Sequence, residues 1–449
     1  MMDISCDIFP MICKEREKLT SMHFNYQVDD RLPVRETVLY GLQWLLIVVP
    51  LVLILGQVGA ALHDFQHPEL QLLYLQKVFF TTGMTLLVQL LWGHKLPVIV
   101  GPASILLLGI IVNAGAPDAV YSAIALCGLL LSLLAAAGWL KRLSAFFTAR
   151  IIGIVLLLIS FTLLPTVLQF ITAGPDFSFG KGVFAVGLVL AMLAGQKFLP
   201  GLLRNTIVVW ALLAGSVLYY VLFQPSMPVL VTPASSMLML QSVAPSVTFE
   251  WPVVLSFLFC FMALTANDLG SVQTTASLVG KTDGEQRTKR GLVFTGLGNV
   301  LAGVLGVIGP VNYSLSTGAI LATGCASRYP LIVAAILLIL LAFIPAVIQA
   351  FAFIPTVVVG ALLFFMLCSQ IAGGLGVLST CLSPYRFETG IVIGVPILLG
   401  TCIAFLPAQL AATIPLLWRP LVTNGFVVGV TTAIFLERIL LPKEKSSPQ

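Results

Sequence analysis

The residues best equipped for chemistry lie in one stretch, Thr265-Ala266-Asn267-Asp268-Leu269-Gly270-Ser271-Val272-Gln273-Thr274-Thr275. An acid, two carboxamides and a run of hydroxyls follow an apolar run there. Such groups can offer donors and acceptors to a polar solute, and an acid in apolar surroundings is a candidate proton carrier. At 100° per residue Asn267, Gly270, Ser271 and Thr274 share one helix face, and Asp268 begins the next. Three readings of Asp268 stay open on this pattern. It could relay a proton, tie its helix to a neighbour, or sit solvated where the helix reaches water. Gly270 leaves room for a second backbone to come close.

Other chemistries find no support. The histidines (His23, His63, His67, His94) fall in a tail or in loops, and none is paired at metal-ligand spacing. The cysteines (Cys6, Cys13, Cys127, Cys260, Cys325, Cys368, Cys381, Cys402) are scattered, mostly in apolar runs, and read as small packing residues. There is no Gly-rich phosphate loop, nucleophile elbow or zinc signature. The expectation is a chain that is not an enzyme and uses no metal or cofactor. A net charge of +5 is too small to suggest nucleic acid as a partner.

The elements that must position the polar stretch are set by composition. Hydrophobic residues make up 59% of the 449 and charged residues 9%, against about a quarter charged in ordinary globular domains. Such a chain cannot cover itself in polar groups, so its solvent is mostly lipid. With about 20 apolar residues needed per crossing, spans are expected near 39–61, 72–92, 97–114, 118–139, 146–171, 181–200, 204–223, 250–274, 290–309, 311–324, 329–349, 352–373, 388–406 and 416–436. An even number puts both termini on one side. With the termini cytoplasmic, every Lys and Arg but Lys77, Lys181 and Arg419 lies on the inner side, the asymmetry that membrane insertion imposes.

Two spans are defective. The third opens Val98-Ile99-Val100-Gly101-Pro102-Ala103-Ser104, and the tenth follows Gly309-Pro310 with Val311-Asn312-Tyr313-Ser314. Their places correspond if the chain is two repeats of seven, and an odd-numbered repeat must be inverted against its partner. Interrupted spans at matching positions point to a midplane binding site in a secondary transporter; two ordinary Pro-kinked helices are the alternative. The domain expectation is a cytoplasmic tail over 1–36, a first seven-span repeat over 37–223, an external connecting loop over 224–249, a second repeat over 250–438 and a cytoplasmic tail over 439–449. Asn299 and Asn424 read as packing glue among small residues.

Taken together, Gly41-Leu42-Gln43, Leu96-Pro97-Val98 through Gly101-Pro102, Asn267 to Ser271, Tyr313 to Gly324, Arg419-Pro420-Leu421 and Asn424-Gly425 resemble the nucleobase–cation symporter 2 (nucleobase–ascorbate transporter) family. The likeness runs from about residue 32 to 440 and is strongest to a divergent branch of bacterial purine permeases. It implies an all-α polytopic membrane fold of 14 spans in two inverted repeats, with core and gate domains. Short strands in spans three and ten would meet half-helices at the substrate. Asn267, Ser271, Ser104, Tyr313, Ser314, Leu315 and Ser316 are then expected at the ligand, supported by Gln43, Gly101, Gly270, Gly318 and Thr323. Asp268 is the coupling candidate. The family's eighth span commonly reads Glu-x-x-Gly and then His or Asp; aligned on Gly270, the Glu falls on Asn267 and the next polar position on Ser271. The acid here is one residue off. In the tenth span Gly318, Thr323 and Gly324 fit the family's pattern, while its polar pair is missing.

The function implied is secondary active transport, cation- or proton-linked, of a nucleobase in the bacterial cytoplasmic membrane. A purine such as xanthine, guanine or urate is expected before uracil, and a homodimer is allowed. The same architecture also admits an aromatic-acid or inorganic-anion carrier (benzoate, sulfate) or an uncoupled facilitator. A membrane enzyme would need a His, Cys or carboxylate cluster, and a channel would need repeated polar rings; the sequence shows neither.

Overall fold

The structure is a computed structural model that describes residues 26–62, 68–113, 115–138, 148–172, 178–200, 203, 207–224, 246–281, 283–313, 316–323, 325–350, 353–379, 387–407, 409–410, 413–415 and 418–440. In chain order these form α1 (Val34–Ala61), α2 (Pro68–Leu91), β1 (Val100–Pro102), α3 (Ser104–Val112), α4 (Pro117–Ala136), α5 (Ala149–Thr162), α6 (Leu164–Thr172), α7 (Phe179–Phe198) and α8 (Ile207–Phe223). The second half gives α9 (Trp251–Leu278), α10 (Gly284–Leu305), β2 (Pro310–Asn312), α11 (Ser316–Thr323), α12 (Tyr329–Ala342), α13 (Pro345–Ala350), α14 (Thr356–Ser379), α15 (Phe387–Ala404), α16 (Arg419–Val422) and α17 (Gly425–Leu440). Seven of the described helical stretches are long and apolar enough to cross a bilayer.

Proline breaks two of the spans expected from sequence, while 416–436 divides at Asn424, whose Oδ1 accepts from Val427 N–H at 3.2 Å as α17 begins. The run 146–171 divides at Leu163, because Pro165 has no N–H to continue the ladder. The run 329–349 divides between Ala342 and Pro345 for the same reason. In α1, Pro50 frees the carbonyl of Leu46 inside an otherwise continuous helix.

The two Gly-Pro segments each open as a strand and continue as a short helix. β1 and β2 pair antiparallel, with Val100 opposite Asn312, Gly101 opposite Val311 and Pro102 opposite Pro310. The ladder is lengthened by Ala103 N–H to Gly309 C=O (2.8 Å) and Tyr313 N–H to Ile99 C=O (2.8 Å). All six strand residues are buried, so each strand supplies partners that lipid could not. On this pair pack α1, α2, α9 and α10, with α4 behind α9 and α10 and α12 behind α1 and α2, while α5, α6, α7, α14, α15 and α17 pack mainly on one another. The cavity lies where these two groups face each other.

Candidate functional site

Strand alternation sorts the tenth segment into two faces. Val311 and Tyr313 line a cavity of about 540 Å³, and Asn312 between them turns the other way into a buried polar cluster. The cavity is otherwise walled by Ser104 and Ile105 of α3, Asn267 of α9, Thr317 and Ala319 of α11, Gln196 of α7, apolar residues of α1, α5 and α8, and α14 with Ser369 and Gln370. No charged side chain is among the described lining residues.

Tyr313 closes over β1 because Gly101 allows it. A Cβ at Gly101 would lie 2.5 Å from the Tyr313 ring, and the tyrosine hydroxyl donates to the Pro102 carbonyl at 2.6 Å. Ser316 is spent on the crossing: its Oγ donates to Tyr313 C=O (2.5 Å) and accepts from Ile99 N–H (2.9 Å).

Behind the strand, proton bookkeeping fixes the direction of each hydrogen bond. Leu96 N–H donates to His94 Nδ1 at 3.0 Å, so that nitrogen carries no proton. Nε2–H of His94 therefore donates to Asn312 Oδ1 at 3.2 Å, which turns Asn312 Nδ2 toward Thr295 Oγ1 at 3.2 Å. Gln89 Nε2, oriented by its bond to Gly291 C=O (2.8 Å), also donates to Thr295 Oγ1 at 3.0 Å. With both lone pairs taken, the threonine gives its proton to Asp268 Oδ2 at 2.5 Å. Asp268 Oδ1 accepts from Asn312 N–H at 2.8 Å. The Asn312 carbonyl accepts from Asn267 Nδ2 (3.0 Å) and Ser271 Oγ (3.1 Å). Burial pushes the imidazole of His94, in the turn between α2 and β1, down to about 4, so it is neutral as this chain requires.

The residues expected from sequence thus divide. Asn267, Ser104 and Tyr313 meet at the cavity wall. Asn267 keeps Oδ1 without a partner among the described residues. Ser271 is wholly buried and bonds backbone, sharing its proton between the carbonyls of Asn267 (2.8 Å) and Asn312. Asp268 is wholly buried in the cluster and off the cavity, which removes its solvated reading. Gln43 is half-buried on α1 away from the cavity lining, and Gly318 and Thr323 lie in α11. Ser314 and Leu315 lie outside the described residues. At Gly270 a Cβ would meet nothing within 4 Å among the described residues. Asn299 does tie elements together, donating to Thr295 C=O (2.8 Å) and Pro310 C=O (2.9 Å).

Sequence reasoning missed His94, Gln89, Thr295 and Gln370. A histidine two residues ahead of a backbone N–H that lacks a helical partner was a usable signal for His94. Thr295 carried none, since its role exists only through three other elements.

A many-helix membrane protein with two strand-broken segments meeting at a cavity is the architecture of a carrier. The fold matches the transmembrane domain of a cyanobacterium bicarbonate transporter, BicA, with a TM-score of 0.58 at 15% identity, covering 84% of this chain and 98% of that one. Residues 35–409 match the permease family of xanthine and uracil permeases, and the chain belongs to that family. It is 25% identical to the xanthine permease XanP of Escherichia coli (strain K12) over 455 residues, 94% of this chain and 95% of that protein. It is also 25% identical to the nucleobase transporter PlUacP of Paenibacillus larvae over 383 residues, 82% of this chain and 86% of that protein. The chain is a multi-pass membrane transporter and not an enzyme.

Proposed function

We propose that the protein carries a nucleobase across the membrane, a purine such as xanthine in preference to uracil. The observation that carries this reading is the cavity itself: broad apolar walls, neutral polar groups at a few points, and the free carboxamide oxygen of Asn267 beside the strands. A planar heterocycle stacks on such walls and satisfies its edge donors and acceptors with amide and hydroxyl groups. An inorganic anion or benzoate would be desolvated there with no counter-charge among the described lining residues. The family membership and the likeness to a xanthine permease support a nucleobase.

The carrier cycle we infer moves the helices around β1 and β2, as a core, against a gate that includes α5 and α14, with access alternating about a fixed site. Antiparallel pairing of the two broken segments supports two inverted seven-span repeats, 37–223 and 250–438, joined by an external loop. The distribution of Lys and Arg supports cytoplasmic termini. The test is uptake of labelled xanthine, guanine, uracil and benzoate into proteoliposomes, with and without an imposed pH gradient. Xanthine or guanine uptake above uracil is expected; uptake of benzoate alone would overturn the assignment.

A further inference from the structure

We propose that Asp268 is a positioning residue: with Thr295, Asn312 and His94 it forms a clamp that holds strand β2 in place at the cavity wall, and it is not the group that carries a proton with the substrate. The proposal rests on the reading of the cavity as the substrate site. It follows from which atoms donate and which accept.

Both carboxylate oxygens of Asp268 accept. Thr295 supplies one donor, and its oxygen is already filled by Gln89 and Asn312, so it can take no proton back from the acid. The other donor is the backbone N–H of Asn312 in β2 itself. A proton on Oδ2 would point at a filled oxygen, and one on Oδ1 would point at another N–H. The arrangement is built for a carboxylate that only accepts, and charge-assisted bonds of this kind are the stronger ones. The polarity is set at the far end of the chain. Leu96 N–H fixes the His94 tautomer, His94 orients the Asn312 amide, and that amide helps fill Thr295. Arg287 donates to the carbonyls of His94 (3.0 Å) and Lys95 (3.2 Å) and holds that turn.

The geometry explains how a residue off the cavity acts on it. Asn312 lies between Val311 and Tyr313, which line the cavity, and its carbonyl fixes the amide of Asn267, which also lines it. Moving Asn312 moves three wall residues at once. Substrate contact and strand support are separated by the 100° step from Asn267 to Asp268 on one helix.

The test uses the full chain in lipid nanodiscs and in proteoliposomes. Asp268→Asn keeps the shape but sets an NH₂ against one of the two donors, and Thr295→Val removes one donor. In both, amide hydrogen exchange over 308–313 should quicken on the order of tenfold, while Thr295→Ser stays at the wild-type rate. In the same variants KM for xanthine should rise while the maximal rate and the accumulation driven by a pH gradient persist. Unchanged exchange in both Asp268→Asn and Thr295→Val overturns the clamp. Loss of gradient-driven accumulation in Asp268→Asn with KM unchanged makes Asp268 the proton carrier instead. If Asp268→Asn fails to fold, the Thr295→Val and Thr295→Ser pair decides by the same exchange readout. Exchange needs no substrate, so a wild-type protein that moved no nucleobase would sink the transport reading and leave the clamp decided on its own.

Discussion

The two broken segments share a plan and differ in what holds them. β1 and α3 run Val-Gly-Pro-Ala-Ser-Ile-Leu-Leu-Leu, apolar except at Ser104, and the hydrogen bonds of β1 are to its partner segment. β2 and the residues just before it are bonded by side chains from α2, α9 and α10: Ile308 N–H donates to the Tyr74 hydroxyl at 3.1 Å, Asn312 N–H to Asp268, and Asn299 Nδ2 to Pro310 C=O. One strand is anchored and the other is placed by pairing with it. A pair of half-helical segments can therefore be symmetric in backbone and asymmetric in stability, since buried polar partners are costly to lose while apolar neighbours repack.

The largest break in this asymmetry should come from Asp268→Ala, which leaves the Thr295 hydroxyl and Asn312 N–H buried without an acceptor. A loss of roughly 2–5 kcal/mol is expected from two unmet donors, read as a lower melting temperature in detergent; an unchanged melting point would show β2 is not anchored there. On the β1 side the sensitive position is steric. Gly101→Ala forces the Tyr313 ring off the strand and should cost about 1–3 kcal/mol as an overpacking change, together with weaker xanthine uptake. Loss of uptake without any loss of stability would mean the ring position matters to substrate alone. At the cavity wall, Asn267→Ala should weaken nucleobase binding by about 1–3 kcal/mol, the worth of one or two hydrogen bonds. Unaltered affinity by equilibrium binding would remove Asn267 from the site.

A pH dependence sharpens the comparison further. His94 stays neutral in the fold down to about 4, while in the unfolded chain it takes a proton near its ordinary value of about 6.5. Between these values the unfolded state binds more protons. Stability from this site is therefore full above about 6.5, declines as pH falls, and levels off below about 4. His94→Gln, which keeps a donor for Asn312, should flatten that part of the melting-temperature profile. A slope that survived the substitution would place the titration elsewhere. The smallest effect should be that of Asp283→Asn. Its carboxylate is exposed where it pairs with Arg287 at 2.7 Å, so water competes for it and below about 1 kcal/mol is expected.

Much of the architecture was legible from residue order. Apolar run lengths marked the crossings, because the bilayer demands a minimum length of each. Gly-Pro openings at the third and tenth places marked the broken segments, because proline removes a donor that only a protein partner can replace. The polar stretch from Asn267 to Ser271 stood out because polar groups are expensive at that depth, and its periodicity separated Asn267 from Asp268. What periodicity could not tell was which of those faces met the cavity and which met another helix.

That choice belongs to the tertiary structure. The acceptor role of Asp268 depends on Thr295, 27 residues on, on Asn312, 44 residues on, and on His94, far upstream. Each looks ordinary in its own segment: a hydroxyl in a helix, an amide after a Gly-Pro, a histidine in a loop. A hydrogen bond constrains atoms to within about 3 Å and is indifferent to sequence separation, so local pattern carries no trace of it. The sequence by itself determined that one acid would fall within a membrane span, since apolar run length sets where the crossings lie. Only the packing of α2, α9, α10 and β2 decided that its two oxygens would be met by donors, and so that it holds a strand.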